Sequence, residues 1–412
     1  MKSLLVALLI LAPQALAPQA VIAQTISQRG FVDATVSSFP QDASNDTVNN
    51  IGDLLIRDEV FVKPAAWLQF AAGADVRANT HDQVDARWRV DVDDRGLKRP
   101  ALSIRRLSAT LNHGPFTLDV GKQFIRWGKT DIVTPTDRFA PRDFLNVIDT
   151  EFLPVTGVRG GIRAGEENLE VVWVPVFTPS RTPLFDQRWT VTPPGAPASI
   201  IAATPDLPSG PQTGVRWSHV GSRLEYSLAF FDGFNHLPDI DILPPTRPDQ
   251  LTVRSRYPSL RSYGGDVAMP TRWFTIKAEA AYFTSTSPQT DEYVLYVVQL
   301  ERQTGEWSFV GGYAGDHVTS QRAILPFAPD RGLTRALVGR ASYTLDVNRS
   351  IALETAVRQN GDGGYAKAEY SQAYAQHWRA TVSGSLVRGE PGDFIGQYRL
   401  NSHLTLALRY SF

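Results

Sequence analysis

Apolar and polar residues alternate along most of the chain, and this pattern predicts strands. The clearest run closes the sequence. Leu404, Leu406, Leu408, Tyr410 and Phe412 fall on one face, and His403, Thr405, Ala407, Arg409 and Ser411 on the other. A period of two is that of a strand covered differently on its two sides. Phe274, Ile276, Ala278, Ala280 and Tyr282 oppose Thr275, Lys277, Glu279 and Ala281 in the same way. So do Ile351, Leu353, Thr355 and Val357 against Ala352, Glu354, Ala356 and Arg358. Trp378, Ala380, Val382, Gly384 and Leu386 oppose Arg379, Thr381, Ser383 and Ser385, and Leu224, Tyr226, Leu228 and Phe230 oppose Glu225, Ser227 and Ala229.

Strands are predicted near 31–38, 54–63, 66–77, 102–111, 115–123, 157–164, 168–177, 213–220, 223–232, 259–269, 273–283, 292–302, 306–315, 334–345, 349–359, 364–373, 377–388 and 395–411. Every second connection is short, as at Pro64-Ala65, Gly221-Ser222 and Pro270-Thr271-Arg272. The intervening ones at 78–101, 124–156, 178–212, 233–258 and 316–333 are long. Short turns at one end and long loops at the other mark a transmembrane barrel. The expected fold is all-β, a transmembrane antiparallel β-barrel of about eighteen strands, with sixteen the main competitor. The hairpin at 31–63 carries the weakest pattern. Either size leaves an aqueous channel.

Composition agrees once the barrel is in view. A mean hydropathy of −0.19 looks soluble, but a wall with one apolar and one polar face averages low. Cysteine is absent, and 41 Lys plus Arg balance 42 Asp plus Glu. No basic patch points to nucleic acid. At the N-terminus, Lys2, the apolar run Leu4 to Ala12 and the small residues ending at Ala23 read as a cleaved signal peptide over 1–23. The barrel then takes 24–412. The expected partners are outer-membrane lipids, small solutes, and the barrel-insertion machinery, which reads a last strand ending at Phe412. The oligomeric state stays open.

The densest cluster of chemistry opens the third long connection. Gly121-Lys122-Gln123 runs into Trp127-Gly128, and Asp137-Arg138-Phe139 leads to Pro141-Arg142-Asp143. This stretch resembles a poorly characterised group of porin-like outer-membrane proteins, in which a strand ending Gly-Arg/Lys-Gln meets a Trp-Gly turn. The resemblance covers about 25 residues and implies a channel or transport role with no known substrate. A loop this ionic cannot face lipid. It is expected to fold into the lumen near 124–156, where Arg126, Trp127, Lys129, Asp131, Asp137, Arg138, Arg142 and Asp143 line a pore constriction or brace the loop by ion pairs. Trp127 reads more readily as a packing anchor than as a ligand platform.

Charges expected to line the lumen include Arg159, Arg163, Lys277, Glu279, Glu354, Arg358, Arg379 and Arg409. With Arg105, Arg216, Arg340, Lys367, Asp119, Glu170, Glu225, Glu301 and Glu369 added, ten basic stand against seven acidic residues, and this slight basic excess leans toward anionic solutes. The seven histidines are far apart, with no local metal-ligand spacing. No Gly-x-Ser-x-Gly elbow is present, so neither a cofactor nor an enzyme is expected. The leading function is a porin-like channel for passive diffusion of small hydrophilic solutes. A transporter of apolar compounds or lipids is the alternative, and the run Val171 to Phe177, apolar on both faces, is where it would open. A non-transporting barrel scaffold is the third reading.

Overall fold

The computed structural model describes residues 25–190, 199–244, 247, 250–322 and 329–412. The signal segment read at 1–23 lies outside the described residues, as do parts of the proline-rich stretches 193–212 and 237–248. Eighteen strands make the wall. They are β1 Thr25–Ser38, β2 Asn50–Ala65, β3 Leu68–Asn79, β4 Arg99–His113, β5 Phe116–Gln123, β6 Val155–Ala164, β7 Glu167–Val174, β8 Gln212–Val220 and β9 Glu225–Phe234. The second half holds β10 Ser259–Pro270, β11 Thr275–Thr284, β12 Glu292–Thr304, β13 Trp307–Ser320, β14 Ala336–Asp346, β15 Arg349–Arg358, β16 Gly363–Tyr374, β17 Trp378–Gly389 and β18 His403–Ser411.

Each strand pairs antiparallel with the next, and β18 closes on β1 from Phe31↔Ser411 to Ser38↔Leu404. The last residue extends this seam: Phe412 and Gly30 exchange two backbone hydrogen bonds of 3.0 Å each. Closure leaves none of the eighteen as a free edge strand. The strand count is therefore eighteen and not sixteen. The hairpin with the weakest pattern pairs without interruption from Thr25↔Lys63 to Ser38↔Asn50. Its alternation is hard to read because Gln28 and Asp58 face outward together, joined by a hydrogen bond of 3.0 Å. The middle band of the outer surface is apolar, with Leu107, Leu228, Leu337, Leu386 and Leu406 all well exposed, as a wall facing lipid requires.

Several parts of the chain depart from the sequence pattern, and two of them bear on the wall. The last strand, expected from 395, begins at His403, because Gly396–Asn401 turn into a 3-10 helix. Ile395 and Tyr398 are buried there against Trp189, Tyr365 and Val387, and that burial outweighs the extended alternative. The connection 78–101 also contains a wall element. Val84–Asp91 runs parallel to β4, pairing Val84↔Arg99 and Val90↔Leu102. It fills the upper edge of β4, which β5 leaves bare because β5 pairs only from Leu107 downward.

Candidate pore constriction

β5 ends because the chain turns inward. Gly121 has φ +116°, and a Cβ there would lie 2.2 Å from the Leu107 carbonyl oxygen; no larger residue fits. Lys122 is then buried, donating to Asp94 at 2.6 Å and to the Val92 carbonyl at 2.5 Å. Gln123 donates to the Gly157 carbonyl at 3.3 Å. The Gly-Lys-Gln element is thus the elbow that launches the connection 124–154, hereafter loop 3.

Loop 3 packs against the inner face of one side of the barrel. Ile125, Trp127, Val133 and Phe139 form a dry cluster with Val172 and Val174 of β7, Phe231 of β9, Phe283 of β11, and Leu295 and Val297 of β12. The Trp127 indole N–H donates to Glu170 of β7, and its ring meets Phe139 edge-on at 5.1 Å. Gly214 of β8 admits this ring, since a Cβ there would lie 2.6 Å from it. Trp127 is therefore a packing anchor. The same cluster explains the apolar run at 171–177. Val172 and Val174 are fully buried beneath the loop, while Val171 and Trp173 face outward. Both faces are apolar because both are covered by apolar surroundings.

Polar groups fix the loop to the wall. The Glu279 carboxylate of β11 accepts backbone N–H groups from Lys129 at 3.0 Å, Thr130 at 3.3 Å and Thr136 at 2.7 Å. It also accepts the hydroxyls of Thr130 at 3.0 Å and Thr136 at 2.8 Å. Gln299 of β12 accepts the Asp131 N–H at 2.9 Å and donates to its carboxylate at 2.7 Å. Lys277 lies 3.8 Å from Asp131 and 2.5 Å from Glu301, and Lys129 pairs with Glu225. Within the loop, Asp137 accepts the N–H groups of Trp127 and Gly128, both at 2.6 Å, and Arg126 at 3.1 Å.

The far edge of the loop meets a basic wall. Arg126 and Arg142 lie over the Phe152 ring at 3.9 and 4.2 Å. Glu151 receives Arg57 of β2 at 2.6 Å, Arg77 of β3 at 2.6 Å and Arg105 of β4 at 2.8 Å, and Asp75 pairs with Arg57 at 2.7 Å. Burial alone would raise the Glu151 carboxyl, but Arg77, Arg57 and Arg105 hold it well below the usual carboxylate range. Asp143 is buried between Arg99 at 2.8 Å and Arg181 at 3.3 Å. Burial again opposes ionisation, and the two arginines again keep its carboxyl low.

The other side chains expected in the lumen are spread around the wall. Arg159 pairs with Glu170 at 2.6 Å, Arg358 with Asp393 at 2.9 Å, and Arg379 donates to Ser371 at 3.0 Å. Arg409 pairs with Asp33, and Arg163 bonds the Gly165 carbonyl at the short-turn end. Lys277 and Glu279 of that set are brought to loop 3, and Glu354 faces a cavity that loop 3 also lines. Sequence reading missed Glu151, Arg57, Asp75, Arg77, Arg181 and Gln299. Alternation on β2 and β3 already puts Arg57, Asp75 and Arg77 on one face; nothing in the sequence shows that Glu151 arrives among them.

Above the loop lies a cavity of about 250 Å³, lined by loop 3, by 234–237, and by the 394–398 region, with Glu354 of β15 and Tyr365 of β16. Glu354 accepts the Tyr365 hydroxyl and lies 3.5 Å from Arg340. Arg138 lines the same cavity and rests over the Phe283 ring at 4.9 Å. His236 sits between the Thr178 carbonyl at 2.6 Å and the Arg138 carbonyl at 2.9 Å. Burial pushes its imidazole down to about 4, so near neutral pH it has one N–H and can donate to only one of them.

Comparison with known proteins finds the architecture but no sequence relative. No family model matches the chain, and no curated protein matches it. Among solved structures, it is similar to a BenF-like porin from Pseudomonas fluorescens Pf-5, with TM-score 0.54 and 8% identity over 95% of this chain and 98% of that one. The outer membrane protein opdK of Pseudomonas aeruginosa gives TM-score 0.54 and 10% identity over 94% and 98%. OccAB4 of Acinetobacter baumannii gives 0.52 and 12% over 95% and 99%. At such identity the likeness is one of fold: a porin-type barrel spanning nearly the whole of both chains.

Proposed function

We propose that this chain is an outer-membrane channel through which small hydrophilic solutes diffuse passively, with loop 3 narrowing the passage. One observation carries the reading. Loop 3 enters the barrel after the Gly121 elbow and is held to the inner wall by Glu279 and Gln299, so it occupies part of the lumen and leaves the rest to water. The apolar outer surface fits outer-membrane lipid, and the β18 seam ending at Phe412 is the end the insertion machinery would read. Arg57, Arg77 and Arg105 outnumber Asp75 and Glu151 where the loop meets the opposite wall, which favours anions by the rule that charged rings set pore selectivity. An exit for apolar compounds at 171–177 is disfavoured, because Val172 and Val174 lie under the loop.

Protein folded into a planar lipid bilayer should give discrete conducting steps, and removal of 128–142 should raise the step size. Folded protein that does not conduct would defeat the channel reading. A step size unchanged by the deletion would defeat the role of the loop.

A further inference from the structure

We infer that a small cavity where loop 3 meets β3 and β4 binds a single halide ion, chloride in ordinary salt. The cavity measures about 20 Å³, and Arg77, Arg99, Arg105 and Arg181 line it together with Asp75, Asp94 and Glu151. That is room for one water-sized particle. Binding there is separate from conduction, so the site goes beyond the channel reading and does not rest on it.

Two ion-pair clusters meet at this cavity, and each is short of one negative charge. In the first, Arg57, Arg77 and Arg105 share Asp75 and Glu151. In the second, Arg99, Arg181 and Lys122 share Asp143 and Asp94. Among the described residues no other carboxylate pairs with any of these six cations, so six positive charges face four negative ones. The surplus sits where charge is costly. The Arg181 and Lys122 side chains are 3% and 4% exposed, and those of Arg57, Arg99, Arg77 and Arg105 are 13%, 14%, 17% and 17%. Arginine does not shed its proton, and a buried charge needs an opposite one.

Donors remain for the ion. Arg181 gives its terminal nitrogens to Asp94 at 2.8 Å and Asp143 at 3.3 Å, and its buried Nε finds no acceptor among the described residues. Arg77 reaches Asp75 and Glu151 through Nη2, at 3.1 and 2.6 Å, and Arg105 reaches Glu151 through Nη1 at 2.8 Å. Neither makes a further side-chain hydrogen bond among the described residues, so part of each fork is left over. Size then selects the ion. A space of about 20 Å³ excludes carboxylates, phosphate and sulfate, and a monatomic anion can accept from several forks at once. Water in the same place would leave the surplus charge uncompensated. The ion would also tie Glu151 of loop 3 and the connection bearing Arg181 to β3 and β4, so it should stiffen the protein where the loop leaves the lumen.

The test uses the full-length barrel refolded in detergent and dialysed into sodium gluconate. Crystals grown in sodium bromide should show an anomalous-scattering peak in the cavity among Arg77, Arg99, Arg105 and Arg181. Replacing gluconate by chloride or bromide at equal ionic strength should raise the temperature at which the heat-modifiable folded band is lost by about 3 °C or more, with saturation as the halide is increased. Arg105→Gln, which removes one surplus charge, should lose most of that gain. Absence of the bromide peak would overturn the proposal and leave the cavity to water, and so would a halide gain of the same size in Arg105→Gln. If the variant fails to fold, the bromide peak on the unaltered protein still decides. A peak in folded protein that passes no current would uphold this site while sinking the channel.

Discussion

Glu279 is the wall group that holds residues 129–136 of loop 3 in place. Glu279→Ala leaves the backbone N–H groups of Lys129, Thr130 and Thr136 without their acceptor. An unsatisfied buried donor costs about 1–3 kcal/mol, so three set a ceiling of ~9 kcal/mol. Water admitted from the lumen would recover much of it, and about 3 kcal/mol is a working figure. The cluster around Trp127 and Phe139 should keep the rest of the loop in place, so the change is local to 129–136. Thr134 is buried in this stretch at 6% exposure and the chain has no cysteine, which makes Thr134→Cys a single reporter. Opening that is easier by about 3 kcal/mol should speed maleimide labelling of this cysteine by ~10²-fold. Glu279→Gln, which keeps one accepting oxygen, should fall between. A labelling rate within threefold of the parent in the alanine variant would refute the argument and leave the loop held by its apolar contacts alone.

Three further outcomes are expected. Gly214→Val should press on the Trp127 and Phe139 rings, which lie 2.6 and 2.8 Å from the position of an added Cβ; overpacking costs about 1–3 kcal/mol, seen as a lower temperature for loss of the heat-modifiable folded band. Replacing Arg57 and Arg105 together by glutamine should move the reversal potential under a salt gradient toward cations, and an unmoved potential would remove these residues from selectivity. Acid should loosen the loop. Asp143 and Glu151 have carboxyls held below their ordinary values by arginines, so their contribution is complete above the unfolded-state values near 4 and declines as pH falls beneath them. Labelling of the Thr134→Cys reporter, normalised at each pH to that of a free thiol because only the thiolate reacts, should therefore accelerate below about pH 4.

The wall was legible in the sequence because each strand separates two environments, and its residues record the difference. That is why β11 and β15 could be read within a residue or two. β18 was over-extended at its start, since Ile395 and Tyr398 are apolar for an inward, loop-packed reason that mimics an outward strand face. Val84–Asp91 passed as a loop because its partner is a stretch of β4 left unpaired by the early end of β5, a fact of geometry with no local trace. In loop 3 the charged residues and Trp127 stood out, but what they touch did not. Thr130 and Thr136 gave no signal, though their backbone and hydroxyl groups meet Glu279. Glu151 sits among three arginines from three strands, a meeting that only the closed barrel creates.

The cluster between loop 3 and the wall divides the inward positions by sector. On β7 and β9 to β13 the inward positions covered by loop 3 lie in a dry, close-packed interior, where deleting one methylene is felt as in any globular core. On β1 to β3 the same orientation leads to charge and solvent, where Phe31 lies beneath Arg57 and Arg409. Tolerance to substitution around this barrel should thus follow angle about its axis as much as the inside–outside alternation. A saturation library sorted by strand would show one half of the inner surface behaving as protein core and the other as protein surface.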